Sequence, residues 1–402
     1  MYLQSSISYM LTESAAIKQI QQKLSHQHLV SLICYYTEDY DVEQLKKAIT
    51  EYFPGIPVQG CSSYQGIMTE KGYHDGPVVG LLAIYDNTYK SVFGTGISTL
   101  DDAVNPSHDE VGLCITQALD QALLNADRVG EIPSLIIMHA TPGFEELMMT
   151  SIDNKFGTLV PLIGGSAGDN HIDQKWSIFT ENGHTQSGAS VTLVYSEYSV
   201  FTSFSAGYQP TQYRGTVTKV NGRVLMEIDN KPAVEVYNQW ANYYLSYDDN
   251  ERIFEKATSY PLGRVAGSIY QRPYFKLSHP VRKIKNDCIE FFTSFNQGDE
   301  IYLMHGNKDQ LITRSAKVID SAYNQRLEDM IKLGGINIFC AGPMVLIKEH
   351  LEFICLQMRD ALDGKPFICP FTFGEQGRFI GGENAHGNLM ISSAVFHKPK
   401  SY

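Results

Sequence analysis

At 402 residues, with 43% hydrophobic and 19% charged side chains, the chain has a globular balance and is too long for one ordinary core. This excludes a mainly disordered polymer and points to two large domains. The net charge of -12, with no stretch that concentrates Lys and Arg, argues against a nucleic-acid backbone or an anionic membrane surface as partner.

The start, Met1-Tyr-Leu-Gln-Ser-Ser-Ile-Ser-Tyr-Met-Leu, lacks the basic residues and unbroken apolar core of a secretory signal. Ala16, Ile17, Ile20 and Leu24 at helical spacing predict an amphipathic helix over Glu13 to Leu24. A strand, Leu29-Val-Ser-Leu-Ile-Cys-Tyr35, precedes a helix from about Asp41 to Tyr52. Ile56-Pro-Val-Gln59 follows, then the turn Gly60-Cys61-Ser62-Ser63 and the strand Val78 to Ile84. An alternating strand over Tyr89 to Ile97 and a helix from about Asp109 to Asn125 lead into a second copy of this syntax. That copy reads Ser134 to His139, a helix from about Phe144 to Lys155, Leu159 to Ile163, the turn Gly164-Gly-Ser-Ala-Gly-Asp169, and Ala189 to Tyr195. Ser199 to Ala206 is a further strand, and Gly207-Tyr-Gln-Pro210 reads as a domain boundary.

The second half opens on strands over Gly215 to Val220 and Arg223 to Ile228, joined by Asn221-Gly222, a strong hairpin signal. A helix over Ala233 to about Leu245 and a polar stretch over Ser246 to Glu251 come next. Short strands over Ile289 to Ser294 and Glu300 to Met304 lie before a helix predicted over Asp309 to Leu333. The third copy closes the chain: Ile336 to Cys340, one long helix from about Val345 to Asp363, Phe367 to Phe371, the turn Phe373-Gly374-Glu375, and Leu389 to Phe396.

This alternation predicts a mixed α/β to α+β fold. Two domains, 1–206 and 207–402, are expected, built from repeated strand-helix-strand-turn-strand units around mixed β-sheets. Two of the units, 29–98 and 134–206, fall in the first domain. No apolar run approaches the roughly 20 residues that span a bilayer, so no membrane insertion is expected. The seven cysteines, at 34, 61, 114, 288, 340, 355 and 369, contain no Cys-x-x-Cys pair. They read as reduced core thiols of a cytoplasmic protein, with no metal site.

Chemistry is sought first at the glycine turns, where backbone N–H groups can hold an anion or polar ligand. Gly164, Gly165, Ser166 and Asp169 are the candidates of the second turn. Glycine there is equally explained by a need for positive φ. No phosphate-loop, dinucleotide, Gly-x-Ser-x-Gly or His-Glu-x-x-His pattern occurs, so the chain is expected not to be an enzyme. His139 and His305 end strands, and His386 lies between the third turn and the last strand. One imidazole in an apolar cleft suffices to ligate haem iron, which keeps haem open as a cofactor.

Taken in order, Val58-Gln-Gly-Cys-Ser-Ser63, Pro161-Leu-Ile-Gly-Gly-Ser-Ala-Gly-Asp-Asn170, Gly207-Tyr-Gln-Pro210, Val217-Thr-Lys-Val-Asn-Gly222, Glu227-Ile-Asp-Asn-Lys-Pro-Ala233, Tyr260-Pro-Leu-Gly-Arg264, Phe339-Cys-Ala-Gly342 and Phe373-Gly-Glu375 resemble the FIST family, with its paired FIST N and FIST C domains. The family pattern continues differently at Pro343 and Gly387. The resemblance implies a stand-alone, cytoplasmic small-molecule sensor with amino acids as proposed ligands. Its partner would be a separate signalling protein, such as a histidine kinase or a cyclic-di-nucleotide enzyme. A haem-based nitric-oxide sensor acting on a histidine kinase is the alternative, and a small-metabolite enzyme the last. The ligand pocket is expected in the C-terminal domain around Arg264, Cys340, Gly374, Glu375 and His386, where an Arg grips a carboxylate and Glu375 an amino group.

Overall fold

The structure is a computed structural model that describes residues 1–101, 105–242, 252–269, 271–322, 329–379 and 382–400. Three copies of one unit form its main body, and a separate sheet is inserted in the third. The first unit runs β1 (Tyr2–Ser8), α1 (Glu13–Gln21), β2 (Leu29–Tyr36), α2 (Val42–Tyr52), β3 (Val58–Ser62), the hairpin β4 (Gly66–Thr69) and β5 (Gly72–Asp75), and β6 (Val79–Tyr85). The second runs β7 (Val92–Thr99), α3 (His108–Asn125), β8 (Leu135–Ala140), α4 (Glu145–Phe156), β9 (Leu162–Ser166), the hairpin β10 (Ile178–Thr180) and β11 (Gly183–Thr185), and β12 (Gly188–Tyr195).

The third unit starts with β13 (Ser199–Ala206), and the insert follows at once. The insert comprises β14 (Tyr208–Asn221), β15 (Val224–Ile228), β16 (Lys231–Pro232), α5 (Ala233–Trp240), α6 (Phe254–Ala257), β17 (Leu262–Ile269), β18 (Arg272–Ser278), β19 (Pro280–Ile284), β20 (Cys288–Phe291) and β21 (Glu300–Gly306). The unit then resumes with α7 (Lys308–Ser321), β22 (Met330–Cys340), α8 (Ala341–Leu346), α9 (Leu351–Ala361), β23 (Phe367–Thr372), the hairpin β24 (Glu375–Arg378) and β25 (Asn384–Gly387), and β26 (Met390–Pro399).

Each unit builds four strands of a six-stranded sheet and borrows the other two. The sheet orders are β1-β6-β2-β3-β10-β11, β7-β12-β8-β9-β24-β25 and β13-β26-β22-β23-β4-β5. The second hairpin therefore completes the first sheet, the third completes the second, and the first completes the third. The units close into a ring. Within each sheet the pair β2–β3, β8–β9 or β22–β23 is parallel, and the remaining pairs are antiparallel.

Inner faces of all three sheets meet in one core that includes Ile33, Tyr35, Ile137, Ile163, Ile336, Ile338, Ile368 and Phe396. The outer faces are covered by helices: α1 and α2 through Ile17, Ile20, Leu45 and Ile49, α3 and α4 through Ile115, Leu119, Met148 and Ile152, and α7 to α9 through Leu311, Val318, Ile354 and Met358. Because both faces are covered, β2, β6 and β12 are buried along almost their whole length. Local signals start the helices: the Asp41 side chain accepts the Gln44 N–H, and Ser107 with Glu110 forms a capping box.

Three predicted helices differ. Residues 330–333 belong to β22, not to the end of a helix from Asp309, because Met330 and Ile331 pair with Pro399 and Lys398 of the final strand. The proposed long helix from Val345 is two helices, separated where Ile347 leaves helical geometry (φ -122, ψ 20). The predicted helix from Ala233 ends by residue 242, and the polar stretch Ser246 to Glu251 lies outside the described residues.

Candidate functional site

The three turns singled out in the sequence come together at one end of the ring and hydrogen-bond to one another. Tyr64 N–H donates to Phe371 O (2.9 Å), Gly168 N–H to Ser62 O (3.0 Å), Ser166 N–H to Gly374 O (2.8 Å) and Phe373 N–H to Ser166 O (2.9 Å). The expectation of free N–H groups for an anion is corrected for these groups, since neighbouring turns consume them. Asp169, fully buried, accepts the N–H groups of Ile172 (2.5 Å), Asp173 (3.2 Å) and Lys175 (2.8 Å), which shapes its own loop. Positive φ is not what Gly164 and Gly165 supply either. A Cβ on Gly164 would stand 1.9 Å from Met138 O, and one on Gly165 2.5 Å from Thr372 Oγ1, so close approach excludes side chains there. Gly374 does have positive φ, 157°, and a Cβ there would lie 2.6 Å from His386 Nε2.

Over this knot lies a cleft of about 600 Å3 between the ring and the insert. Each turn contributes to it: Tyr64 from the first, Asn170 and His171 from the second, Thr372 and Phe373 from the third. Cys340 and Ala341 line it from the end of β22 and the start of α8, and the insert adds Arg252, Phe254, Glu255, His279 and Phe292. Aromatic walls with a few polar groups are what small-molecule sites are built from.

Glu375 lies beneath the lining. Its Oε1 accepts from Thr372 Oγ1 (2.8 Å) and its Oε2 from Met390 N–H (3.1 Å). Burial pushes its carboxyl up to about 8, against the opposing effect of hydrogen bonds from Thr372, Met390 and Cys340. A folded-state value above the ordinary 4.5 gives stability that is complete below about pH 4.5 and is lost as pH rises toward 8. Glu375→Gln is expected to flatten that fall. Urea unfolding at intervals from about pH 5 to about 8 checks it: the stability of the wild type relative to the variant decreases with pH.

Behind the turns sits a charged cluster drawn from three distant segments. Arg223 NH2 donates to Glu145 Oε2 and Glu146 Oε2, each at 2.8 Å. Ser166 Oγ donates to Glu145 Oε1 (2.6 Å) and itself accepts from Gln376 Nε2 (3.1 Å). His386 Nδ1 lies 3.2 Å from Glu146 Oε1. Burial alone would raise both carboxyls, but His386 and Arg223 outweigh it, so Glu145 is held below the carboxylate range and Glu146 well below. Glu145, Glu146 and His386 offer atoms within 4.8 Å of one another, as metal ligands would. Arg223 already occupies both carboxylates. Sequence reading missed Glu145, Glu146 and Arg223. The available signals were two adjacent acids opening α4 and an Arg directly after the Asn221-Gly222 turn.

The five expected pocket residues are thus separated. Cys340 lines the cleft, while Gly374 and Glu375 lie in and just after the third turn, and His386 belongs to the charged cluster. Arg264 is 9% exposed and its guanidinium is engaged inside the insert, donating to Ser294 O (2.6 Å), Ser278 Oγ (3.1 Å) and Asp299 Oδ2 (3.3 Å). It is not among the cleft's lining residues, so the expected carboxylate grip by Arg264 is corrected.

The three histidines considered for haem do not fit an iron ligand. Buried His139 has both nitrogens engaged: Nδ1 donates to Gly165 O (2.9 Å) and Nε2 meets Tyr35 OH (3.1 Å), with burial lowering its value to about 4. His305 is exposed on β21 against the Tyr260 ring. His386 is 3% exposed and enclosed by Glu145, Glu146 and Gly374.

Sequence models for the FIST N domain and the FIST C domain match residues 31–231 and 233–378. The chain belongs to the FIST family. FIST domains are sensory domains that bind small ligands. A curated relative, an uncharacterised protein of Methanocaldococcus jannaschii, is 25% identical over 225 residues, which are 53% of this FIST chain and 41% of the relative. The match thus spans under half of that relative's length.

Among solved structures, cyanuric acid hydrolase from A. caulinodans aligns over 100% of this chain and 99% of its own, at 6% identity and a TM-score of 0.38. A second cyanuric acid hydrolase aligns over 98% and 99%, at 6% identity and a TM-score of 0.35. The expectation that the chain is not an enzyme is withdrawn, since it rested only on the absence of local motifs, and hydrolases are among the structures that align with the whole chain. At this similarity their reaction does not transfer to this FIST protein. Local motifs do not display the charged cluster, which combines residues more than 200 positions apart. No described helix is long and apolar enough to cross a membrane.

Proposed function

We propose that this FIST protein is a cytoplasmic sensor whose cleft binds a free amino acid and whose output passes to a separate signalling protein, such as a histidine kinase or a cyclic-di-nucleotide enzyme. The observation that carries the reading is the position of the cleft. A molecule held there touches all three turns of the ring and the insert together, so its binding favours one arrangement of the two bodies. Its lining supports the ligand class. Arg252 and Glu255 bring opposite charges to one cavity with aromatic walls, matching the carboxylate, ammonium and side chain of an amino acid.

Titration of the full chain with the twenty amino acids, followed by melting temperature and calorimetry, tests this. At least one is expected to bind, and Arg252→Gln and Glu255→Gln each to weaken it by about tenfold or more, since a hydrogen bond to a charged group contributes roughly 1.5–3 kcal/mol. A flat response across the panel, or unchanged affinity in both variants, would reject the reading.

A further inference from the structure

A second cavity, of about 300 Å3, opens where the chain leaves the ring for the insert. Ser205 and Tyr208 line it on either side of Gly207, Tyr274 comes from β18, and Phe379 follows β24. Arg314 and Lys317 complete it from α7. Three residues apart on a helix, these two cations share a face.

Arg314 is an anomaly in this setting. Its side chain reaches Ser205 Oγ, yet its Nε is buried with no hydrogen-bond partner. Among the described residues no carboxylate forms an ion pair with it, and none of the cavity's lining residues is acidic. Burial, with no opposing charge, lowers its value from the usual guanidinium range. Tyr208, in the same wall, has a buried hydroxyl that is also without a partner. The chain's other enclosed arginines have a counter-charge: Arg223 meets two carboxylates, and Arg264, whose Nε is likewise without a partner, meets Asp299. Arg314 is half-buried, and partly withdrawing a guanidinium from water without a counter-charge is costly, a cost that a bound anion would offset.

We propose that this cavity is a second ligand site, which takes a small oxyanion, a carboxylate or a phosphate, on the Arg314 guanidinium with Lys317 as a further donor. It is independent of the amino-acid cleft. Its walls come from both sides of Gly207, so an anion held there joins the ring to the root of the insert.

The test is calorimetry on the full chain with inorganic phosphate and, separately, with acetate and malonate. Saturable binding of at least one is expected, and the better ligand identifies phosphate or carboxylate as the source. Arg314→Gln should weaken that binding by about tenfold or more. Lys317→Glu, at an exposed position, avoids a folding artefact: it places a carboxylate beside Arg314 and is expected to abolish anion binding while raising the melting temperature of the ligand-free chain. Failure of all three anions to bind the wild type would overturn the proposal, as would wild-type affinity in folded Arg314→Gln or in Lys317→Glu. Because neither substitution touches the cleft, an amino-acid response persisting in both separates this result from the fate of the sensor reading.

Discussion

Replacing Arg223 by Met is expected to destabilise the chain by about 3–5 kcal/mol, the range for removing one member of a buried ion pair. The effect does not come from losing an attraction alone. Glu145 and Glu146 would remain behind β9 with the His386 ring as the other neighbour in reach, and the side chain of Glu145 is only 2% exposed. Two adjacent carboxylates in that position repel one another and have lost their water. The pH dependence carries the sign. Both acids are held below their ordinary value in the folded chain, so the stability they contribute is present above the unfolded value of about 4.3 and is lost as pH falls through the folded values. In Arg223→Met that acid-side loss should shrink or reverse, because protonation then relieves the cluster. Urea midpoints from about pH 3 to about pH 7 decide the matter. If the variant loses less than about 1 kcal/mol and keeps the wild-type pH profile, the cluster is not the clasp between insert and ring that its geometry describes.

Gly164→Ala is expected to cost about 3 kcal/mol, at the upper end of what overpacking does. The new Cβ would stand 1.9 Å from Met138 O and 2.9 Å from Gln376 Oε1. The first of these is backbone within the parallel pair β8–β9, where Met138 faces Gly164, so relief requires the strands themselves to separate. Gly183→Ala is the control: its nearest new contact, Ile97 Cγ2, is at an ordinary 3.5 Å, and the change should stay within about 0.5 kcal/mol. Equal changes in the two variants would show that close approach does not govern Gly164.

Much of the fold was legible because periodicity is local. The threefold strand-helix-strand syntax, the helices α2, α3 and α4, and the Asn221-Gly222 hairpin follow from residues within a few positions of one another. What the periodicity did not carry was the exchange of hairpins. Cys61 pairs with Ile178 and Gly165 with Glu375, and nothing near either residue specifies a partner from another unit. The strands β4, β5, β10, β11, β24 and β25 are short, rich in Gly, Thr and His, and have little of the apolar alternation that announces a strand.

The candidate site was harder to read for the same reason. The turns were visible as turns, but their mutual hydrogen bonds require three segments spread over the chain. Arg264 looked available because a sequence does not display Ser294 O or Asp299 already at its guanidinium. Arg252, Glu255 and His279 became cleft residues only through the placement of the insert.

The exchange of hairpins also sets an order of events while the chain is being made. Ser63, just before β4, accepts a hydrogen bond from the far end of the molecule: Phe371 N–H donates to Ser63 Oγ at 2.8 Å across 308 positions of sequence. The strand that β4 must join, β23, is synthesised long after it. At roughly 5–20 residues per second, the first hairpin waits roughly 15–60 s with one edge unpaired before β23 exists. During that interval an open strand edge is a template for wrong partners. Such a ring is exposed to misassembly at birth rather than in its finished state, and its last strands seal the first.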